Sequence, residues 1–100
     1  MTISAAELRV PQATSASTTR DALCVELSDG RTLTVPLAWY PRLLHASEPE
    51  RDHWRLIGEG EGINWPDLDE DISVEGLLAG RPSAESAASL KRWLDSRKAS

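Results

Sequence analysis

An Asp-Gly pair between two alternating runs of residues is the feature that most restricts how this chain folds. Apolar residues alternate with polar or small ones over 23–27 and again over 32–35. Asp29-Gly30 lies between the runs and tolerates positive φ at both central positions of a two-residue turn. The pattern therefore predicts an antiparallel hairpin with one buried face.

A second pair of apolar segments predicts another hairpin. Residues 54–57 and 62–65 flank a turn that contains Gly58 and Gly60, and Pro66 follows the second segment. Proline has no amide hydrogen for a strand ladder, so the second strand is expected to end there. We expect Asp67–Asp71, the acidic loop, to follow as a loop rather than as a strand.

The chain before the first hairpin carries weaker signals. We expect a short strand over 8–13, restricted to a sheet edge by Pro11. The polar residues over 15–21 are interpreted as a connection.

Short helices are predicted between and after the hairpins. One covers 37–45, a second follows a capping-box pattern of Ser47 and Glu50, and a third follows Ser73. Ser83 is expected to cap a last, amphipathic helix that docks on the sheet. The predicted fold is α+β: a small antiparallel sheet of two hairpins, short connecting helices and a C-terminal amphipathic helix.

The length and composition indicate one globular domain over residues 1–100, with a core over 8–82 and the last helix over 83–98. Hydrophobic residues make up 40% of the 100 residues. Cys24 is the single cysteine, so an internal disulfide is impossible and a reducing compartment is expected. The sequence shows neither a secretory signal nor a membrane-spanning run, so we expect a cytoplasmic protein without membrane contact.

The net charge of −5 is concentrated in one part of the chain. Residues 58–79, the acidic segment, contain seven acidic residues and no lysine or arginine. Residues 80–100 carry five basic and two acidic residues. The acidic balance argues against general nucleic-acid binding, because that binding needs cations that displace counterions from phosphates.

The acidic loop begins like an EF-hand calcium loop, but the rest of that motif is missing. Ile72 stands where the glycine belongs, and Leu78 stands where the bidentate glutamate belongs. We therefore assign no metal, no cofactor and no catalytic residue, and we expect a protein that is not an enzyme. A small metal-dependent enzyme that uses these carboxylates is one alternative.

Aromatic residues supply candidates for partner contact. The chain has four tryptophans and no phenylalanine, so the tryptophans are expected to form much of the core. If one is exposed, we expect it to be Trp65, beside the acidic loop, and Tyr40 is a second candidate. The predicted partner-binding residues are Tyr40, Arg42, Trp65, Asp67, Asp69, Glu70 and Asp71.

The last helix carries a group of cations that suggests a second kind of binding surface. Its members are Lys91, Arg92, Arg97 and Lys98. Cations near a helix C-terminus complement the helix dipole. They are also able to pair with the acidic segment of this chain or of a second copy, and the latter would give a homodimer. A third possibility is that they contact DNA.

The sequence resembles a family of small bacterial proteins, domain of unknown function 2442. The resemblance is carried by Asp29-Gly30-Arg31, by the run VPLAWYPRL over 35–43, by Trp54 and by the acidic region over 60–80, and it extends from near Leu8 to Pro82. It implies a compact α+β domain on an antiparallel sheet and no established activity.

The resemblance also implies a genetic context. Genes of the family often stand beside small genes suspected of encoding toxins, which implies an antitoxin-like or partner-binding role. Some relatives carry a helix-turn-helix extension for DNA, whereas this chain has room for only one helix after Gly80.

These observations lead to one main functional hypothesis. We expect a non-enzymatic protein-interaction module, the antitoxin-like partner of a small, basic, co-encoded protein, which uses the acidic loop. A DNA-binding transcriptional regulator that uses the last helix is the second alternative.

Overall fold

Three strands form the first antiparallel sheet in the computed structural model, which describes residues 10–98. They are β1 (Ala13–Thr18), β2 (Ala22–Leu27) and β3 (Thr32–Pro36), in the order β1-β2-β3. The predicted hairpin is confirmed, with Leu23 opposite Val35. In its turn Gly30 has a φ of 92°, whereas Asp29 does not adopt the positive φ expected at both central positions.

Strand β1 replaces the predicted polar connection over 15–21. The buried positions of β1 are Ala13 and Ala16, whose small side chains give a weak apolar signal. Pairing with β2 overrides that weak local preference. Residues 10–12 are not a strand, and residues 8 and 9 of the expected strand lie outside the described residues.

A second antiparallel sheet contains the other predicted hairpin. β4 (Arg55–Ile57) pairs with β5 (Gly62–Trp65), as expected, and β6 (Glu70–Ser73) pairs with the other side of β5. The last two residues of the acidic loop are therefore in a strand, contrary to the prediction. The physical reason is the buried pair of Ile63 and Ile72, which lie opposite each other in the sheet.

The two sheets meet at a glycine. The backbone amide of Ala13 donates to the carbonyl of Gly60 at 2.7 Å. Gly60 has a φ of 111°, and a Cβ atom at this position would lie 2.5 Å from the carbonyl oxygen of Ala13. Only glycine allows this approach without a shift of the backbone.

The helices between the sheets are short. The single helix predicted over 37–45 is divided into a 3₁₀ turn (Leu37–Trp39) and α1 (Pro41–Leu44), because Pro41 opens a new first turn. The predicted capping box of Ser47 and Glu50 is confirmed at the start of α2 (Glu48–Asp52).

Two further helices follow β6. The hydroxyl of Ser73 caps α3 (Val74–Leu78), as predicted. The last helix, α4 (Ala87–Lys98), begins later than the expected cap at Ser83, and the hydroxyl of Ser86 accepts from the amide of Ser89. No residue of α4 is fully buried, and the predicted apolar stripe of Leu90, Trp93 and Leu94 is partly buried. Only Trp93 packs, half-buried, against the core.

The buried core lies between the sheets and the short helices. Trp65 is the largest fully buried side chain, whereas Trp39, Trp54 and Trp93 are partly buried against the core. Among the described residues, no helix has the length and apolarity needed to cross a bilayer.

Candidate protein-interaction surface

The acidic loop is held on a tight turn between β5 and β6. The amide of Leu68 donates to the carbonyl of Trp65 at 3.1 Å, and the Leu68 side chain is fully buried. Asp69 adopts a φ of 50°, which aspartate tolerates better than most residues. The buried leucine therefore anchors a turn whose carboxylates lie at the surface.

Trp65 packs in the core beneath the surface of this turn and does not contact solvent. Its side chain is 0% exposed, and its indole nitrogen donates to the carbonyl of Arg51 at 3.0 Å. The expectation that Trp65 is the exposed tryptophan is wrong. The residue occupies a buried position at the end of β5, and an indole with a satisfied N–H is well suited to the core.

Tyr40 is also buried, contrary to its selection as an exposed candidate. Its side chain is 4% exposed, and its hydroxyl donates to the carbonyl of Arg81 at 3.3 Å. Burial, with a smaller effect of the Glu70 charge, raises the pKa of Tyr40 above its ordinary value. Tyr40 therefore positions the chain that follows α3.

Arg42 links the acidic loop to the chain before α4. One terminal nitrogen donates to the carbonyl of Leu68 at 2.9 Å, and the other pairs with Glu85 at 2.7 Å. The Arg42 guanidinium also lies 5.2 Å from the ring centroid of Trp93. Hydrogen bonding to Arg42 lowers the pKa of Glu85. Arg42 is thus a positioning residue whose donors are engaged within the chain.

The four carboxylates of the acidic loop have different environments. Asp67 lies 2.7 Å from the Nδ1 atom of His53, and Asp71 accepts from the side-chain amide of Asn64 at 2.5 Å. Asp69 is exposed and Glu70 is half-buried. Burial raises the pKa of Glu70 to about 7, although the Arg42 charge opposes this shift.

Most of the acidic segment has no internal counter-ion. In the part of the chain that the structure describes, ion pairs join Arg31 to Asp29, Arg42 to Glu85 and Arg97 to Glu50, and a hydrogen bond joins His53 to Asp67. Within the same residues, neither Asp69 nor Asp71 forms an ion pair with lysine or arginine. The Arg42 charge acts on Asp69, and Arg55 lines the same cleft as Asp71, but neither cation forms an ion pair with these carboxylates, so the loop leaves a negative surface.

Exposed apolar side chains lie beside Asp71. An open cleft of about 380 Å³ is lined by Arg55, Leu56, Ile57, Asn64 and Asp71. Leu56 is 37% exposed and Ile57 38% exposed. Exposed apolar side chains near the acidic loop are therefore found on β4, whereas Trp65 is buried.

The cations of α4 do not form one free surface. Lys91, Arg92 and Lys98 are exposed. Arg97 instead pairs with Glu50 of α2 at 2.6 Å and lies 4.5 Å from the ring centroid of Trp93. The hydrogen bond from Arg97 lowers the pKa of Glu50 to about 2.

The sequence did not reveal two residues that bind predicted site residues within the chain, Glu85 and His53. Glu85 lies 43 positions from Arg42, and His53 lies 14 positions from Asp67. Neither pair has a spacing that a local motif would reveal. No group of three or more metal-ligating side chains comes together within residues 10–98.

The fold and site define a small α+β domain with two three-stranded sheets and an acidic loop between β5 and β6. The chain belongs to the family described as Protein of unknown function (DUF2442), whose family model matches residues 13–83. Helix α4 lies outside that match.

Two solved structures are similar to this chain. A protein of unknown function from Rhodospirillum rubrum is 30% identical, with a TM-score of 0.64, and the match covers 80% of this chain and 96% of that one. An uncharacterized protein from Chromobacterium violaceum is 22% identical, with a TM-score of 0.63, over 81% of this chain and 74% of the other, and shows the shared fold. A comparison with curated proteins finds no match.

Proposed function

We propose that this chain is a non-enzymatic protein-interaction module that binds a basic protein through its acidic loop and β4. The observation that carries the proposal is the pair of exposed carboxylates, Asp69 and Asp71, which have no cationic partner in the described chain. A surface of one sign steers and orients a partner of the opposite sign.

The apolar residues of β4 supply the second half of the surface. Ile57 shares the sheet face of Asp71, and Leu56 is exposed on the opposite face of β4, so a partner that covers this edge is able to bury apolar area while its cations face the carboxylates. Stable interfaces combine a desolvated apolar centre with a polar rim. The interaction surface is therefore defined as Leu56, Ile57, Asp69 and Asp71.

The partner that fits this surface is a small, basic, co-encoded protein. The antitoxin-like part of the proposal rests on the family's gene context, and the charge argument agrees with it. A toxin that acts on RNA needs a basic groove, and a rigid row of carboxylates is able to occupy such a groove in place of phosphates. In this role the module would block the groove by binding.

Co-expression with the product of the neighbouring gene tests the proposal. The informative variant is Asp69→Asn/Asp71→Asn, because asparagine tolerates the positive φ at 69 and retains an acceptor for Asn64 at 71. The control variant is Glu48→Gln/Asp52→Asn, which removes the same charge from α2. We expect the first variant to lose co-purification and the second to retain it. Equal recovery of the partner with both variants would refute the role of the acidic loop.

A further inference from the structure

A second cleft lies on the other side of the acidic loop, between β6 and the chain that follows α3. It has a volume of about 290 Å³, and Tyr40, Glu70, Asp71, Ser73, Arg81 and Pro82 are among the residues that line it. Two hydrogen bonds hold its outer wall. The amide of Ser83 donates to the carbonyl of Trp39 at 2.9 Å, and the Tyr40 hydroxyl donates to the carbonyl of Arg81.

Glu70 lines this cleft without a partner of its own. Its carboxyl forms no hydrogen bond or ion pair with any other described residue, although the side chain is half-buried. Arg42 is the cation whose charge acts on it, but the donors of Arg42 are already directed to Glu85 and to the carbonyl of Leu68. A half-buried carboxylate without a donor is unfavourable, and Arg81, which also lines the cleft, forms no hydrogen bond or ion pair with Glu70 in the described chain.

We propose that this cleft receives a basic side chain of the partner protein, with Glu70 as its counter-ion. This inference rests on the proposed function, and it assigns a specific anchor to the complex. The volume is sufficient for one lysine or arginine side chain, whose charged end would meet the carboxylates while its aliphatic part lies against Pro82.

The charged groups around the cleft favour a cation. Asp69, Asp71 and Glu85 add negative potential at Glu70, Arg42 opposes them, and the exposed Arg81 stands at the rim. Because burial and these acids raise the pKa of Glu70 to about 7, Glu70 holds a proton below that pH. A cation that enters the cleft binds the ionised form, so entry releases this proton and becomes weaker as the pH falls.

Nuclear magnetic resonance titration with Nα-acetyl-lysine N-methylamide tests the inference on the isolated full chain. We expect amide shifts at Ser73, Gly76 and Ser83, and a Glu70 pKa that falls when the probe is bound. The dissociation constant should rise by more than about tenfold between pH 8 and pH 5.5, because protonated Glu70 is not a counter-ion. Nα-acetyl-norleucine N-methylamide, which lacks the charge, should produce none of these effects.

Two variants separate this inference from general charge effects. Glu70→Gln should abolish the probe-induced shifts, whereas Glu59→Gln, which removes the same charge from the turn between β4 and β5, should preserve them. Probe binding that is unchanged in Glu70→Gln, or absent from the unmodified chain at pH 8, would overturn the inference.

The partner protein separates failure of this inference from failure of the proposed function. If Asp69→Asn/Asp71→Asn weakens the complex but Glu70→Gln does not, the acidic loop binds the partner and the anchor in the cleft is wrong. If the probe binds through Glu70 while Asp69→Asn/Asp71→Asn leaves the complex intact, the cleft stands and the proposed function is wrong.

Discussion

Arg42 connects three parts of the chain that are distant in sequence: α1, the acidic loop and the chain before α4. Its guanidinium contacts Glu85, the carbonyl of Leu68 and the ring of Trp93. These contacts use the planar, multi-donor geometry that distinguishes arginine from lysine. The acidic loop is therefore held in place by a cation that lies inside the domain.

Glu70 should give the domain an unusual dependence of stability on pH. Its pKa is about 7 in the folded chain and near 4.5 when the chain is unfolded, so between these values the folded chain binds more protons. The free energy of unfolding should therefore fall as the pH rises from about 4.5 to 7 and then level off. Because solvent screens the exposed part of the side chain, we expect a loss of about 1 kcal/mol.

Urea denaturation at pH 5 and pH 8 measures this effect. Glu70→Gln should remove the difference in unfolding free energy that is due to this carboxyl, whereas Glu59→Gln should keep it. A Glu70→Gln variant with the same pH dependence as the unmodified chain would show that this carboxyl has an ordinary pKa.

At the residue scale, the charges were predictable from the sequence, but their environments were not. The residues of the acidic loop and Arg42 do come together in the structure. The burial of Trp65 and Tyr40 was not predictable, because it depends on which strand and which turn cover each ring. The partners of Arg42 and Asp67 depend on contacts between distant parts of the chain.

At the element scale, the approach of β1 to the second sheet depends on Gly60. Gly60→Ala should place a Cβ atom against the carbonyl of Ala13 and should destabilise the domain by about 2–4 kcal/mol. Gly80→Ala is a matched control, because Gly80 also has a positive φ but a Cβ atom added there would meet nothing within 4 Å. It should cost about 1 kcal/mol.

Thermal unfolding followed by circular dichroism distinguishes the two glycine variants. The difference between them reports the steric contact at Gly60 together with the greater strain of an alanine at a φ of 111° than at a φ of 70°. Equal melting temperatures for Gly60→Ala and Gly80→Ala would contradict the close approach of the two sheets.

Helix α4 should be dispensable for folding of the remaining domain. It has no buried residue, and the family match ends before it. A chain that ends after Ser86 loses Trp93 and the ion pair between Arg97 and Glu50. We expect it to fold with a stability reduced by about 1–2 kcal/mol, because partly exposed contacts of this kind contribute little.

Two-dimensional amide spectra of the shortened chain check this expectation. Dispersed resonances for the two sheets should persist, with shifts confined to the neighbours of Trp93 and Glu50. Collapse of the spectrum would show that α4 is part of the cooperative core.

The two hairpins and the helix caps were predictable because their signals are local. Asp29-Gly30 specifies a turn, and Ser47 and Glu50 cap α2 through residues three positions apart. Strands β1 and β6 were missed because neither segment has a strong apolar alternation of its own, and each is a strand through pairing with its neighbour in the chain, β1 with β2 and β6 with β5. Pairing energy from β2 and β5 is not visible in the composition of either segment.

At the scale of the whole molecule, the charge distribution links the fold to the proposed function. The net charge of −5 comes from an acidic segment whose loop carboxylates are held on a turn anchored by buried Leu68, while Arg42 and Arg97 pair with Glu85 and Glu50, outside that segment. The arrangement leaves a negative surface beside exposed apolar residues of β4. A basic protein partner is the occupant that this surface fits best.

Calorimetric titration with the purified co-encoded protein tests the central claim most directly. We expect Asp69→Asn/Asp71→Asn to raise the dissociation constant by at least about tenfold and to reduce its salt dependence. The reason is that the variant removes two negative charges from the surface that faces the partner. Glu48→Gln/Asp52→Asn should stay within about twofold of the unmodified chain. Equal affinities and equal salt dependence for all three proteins would contradict binding through the acidic loop.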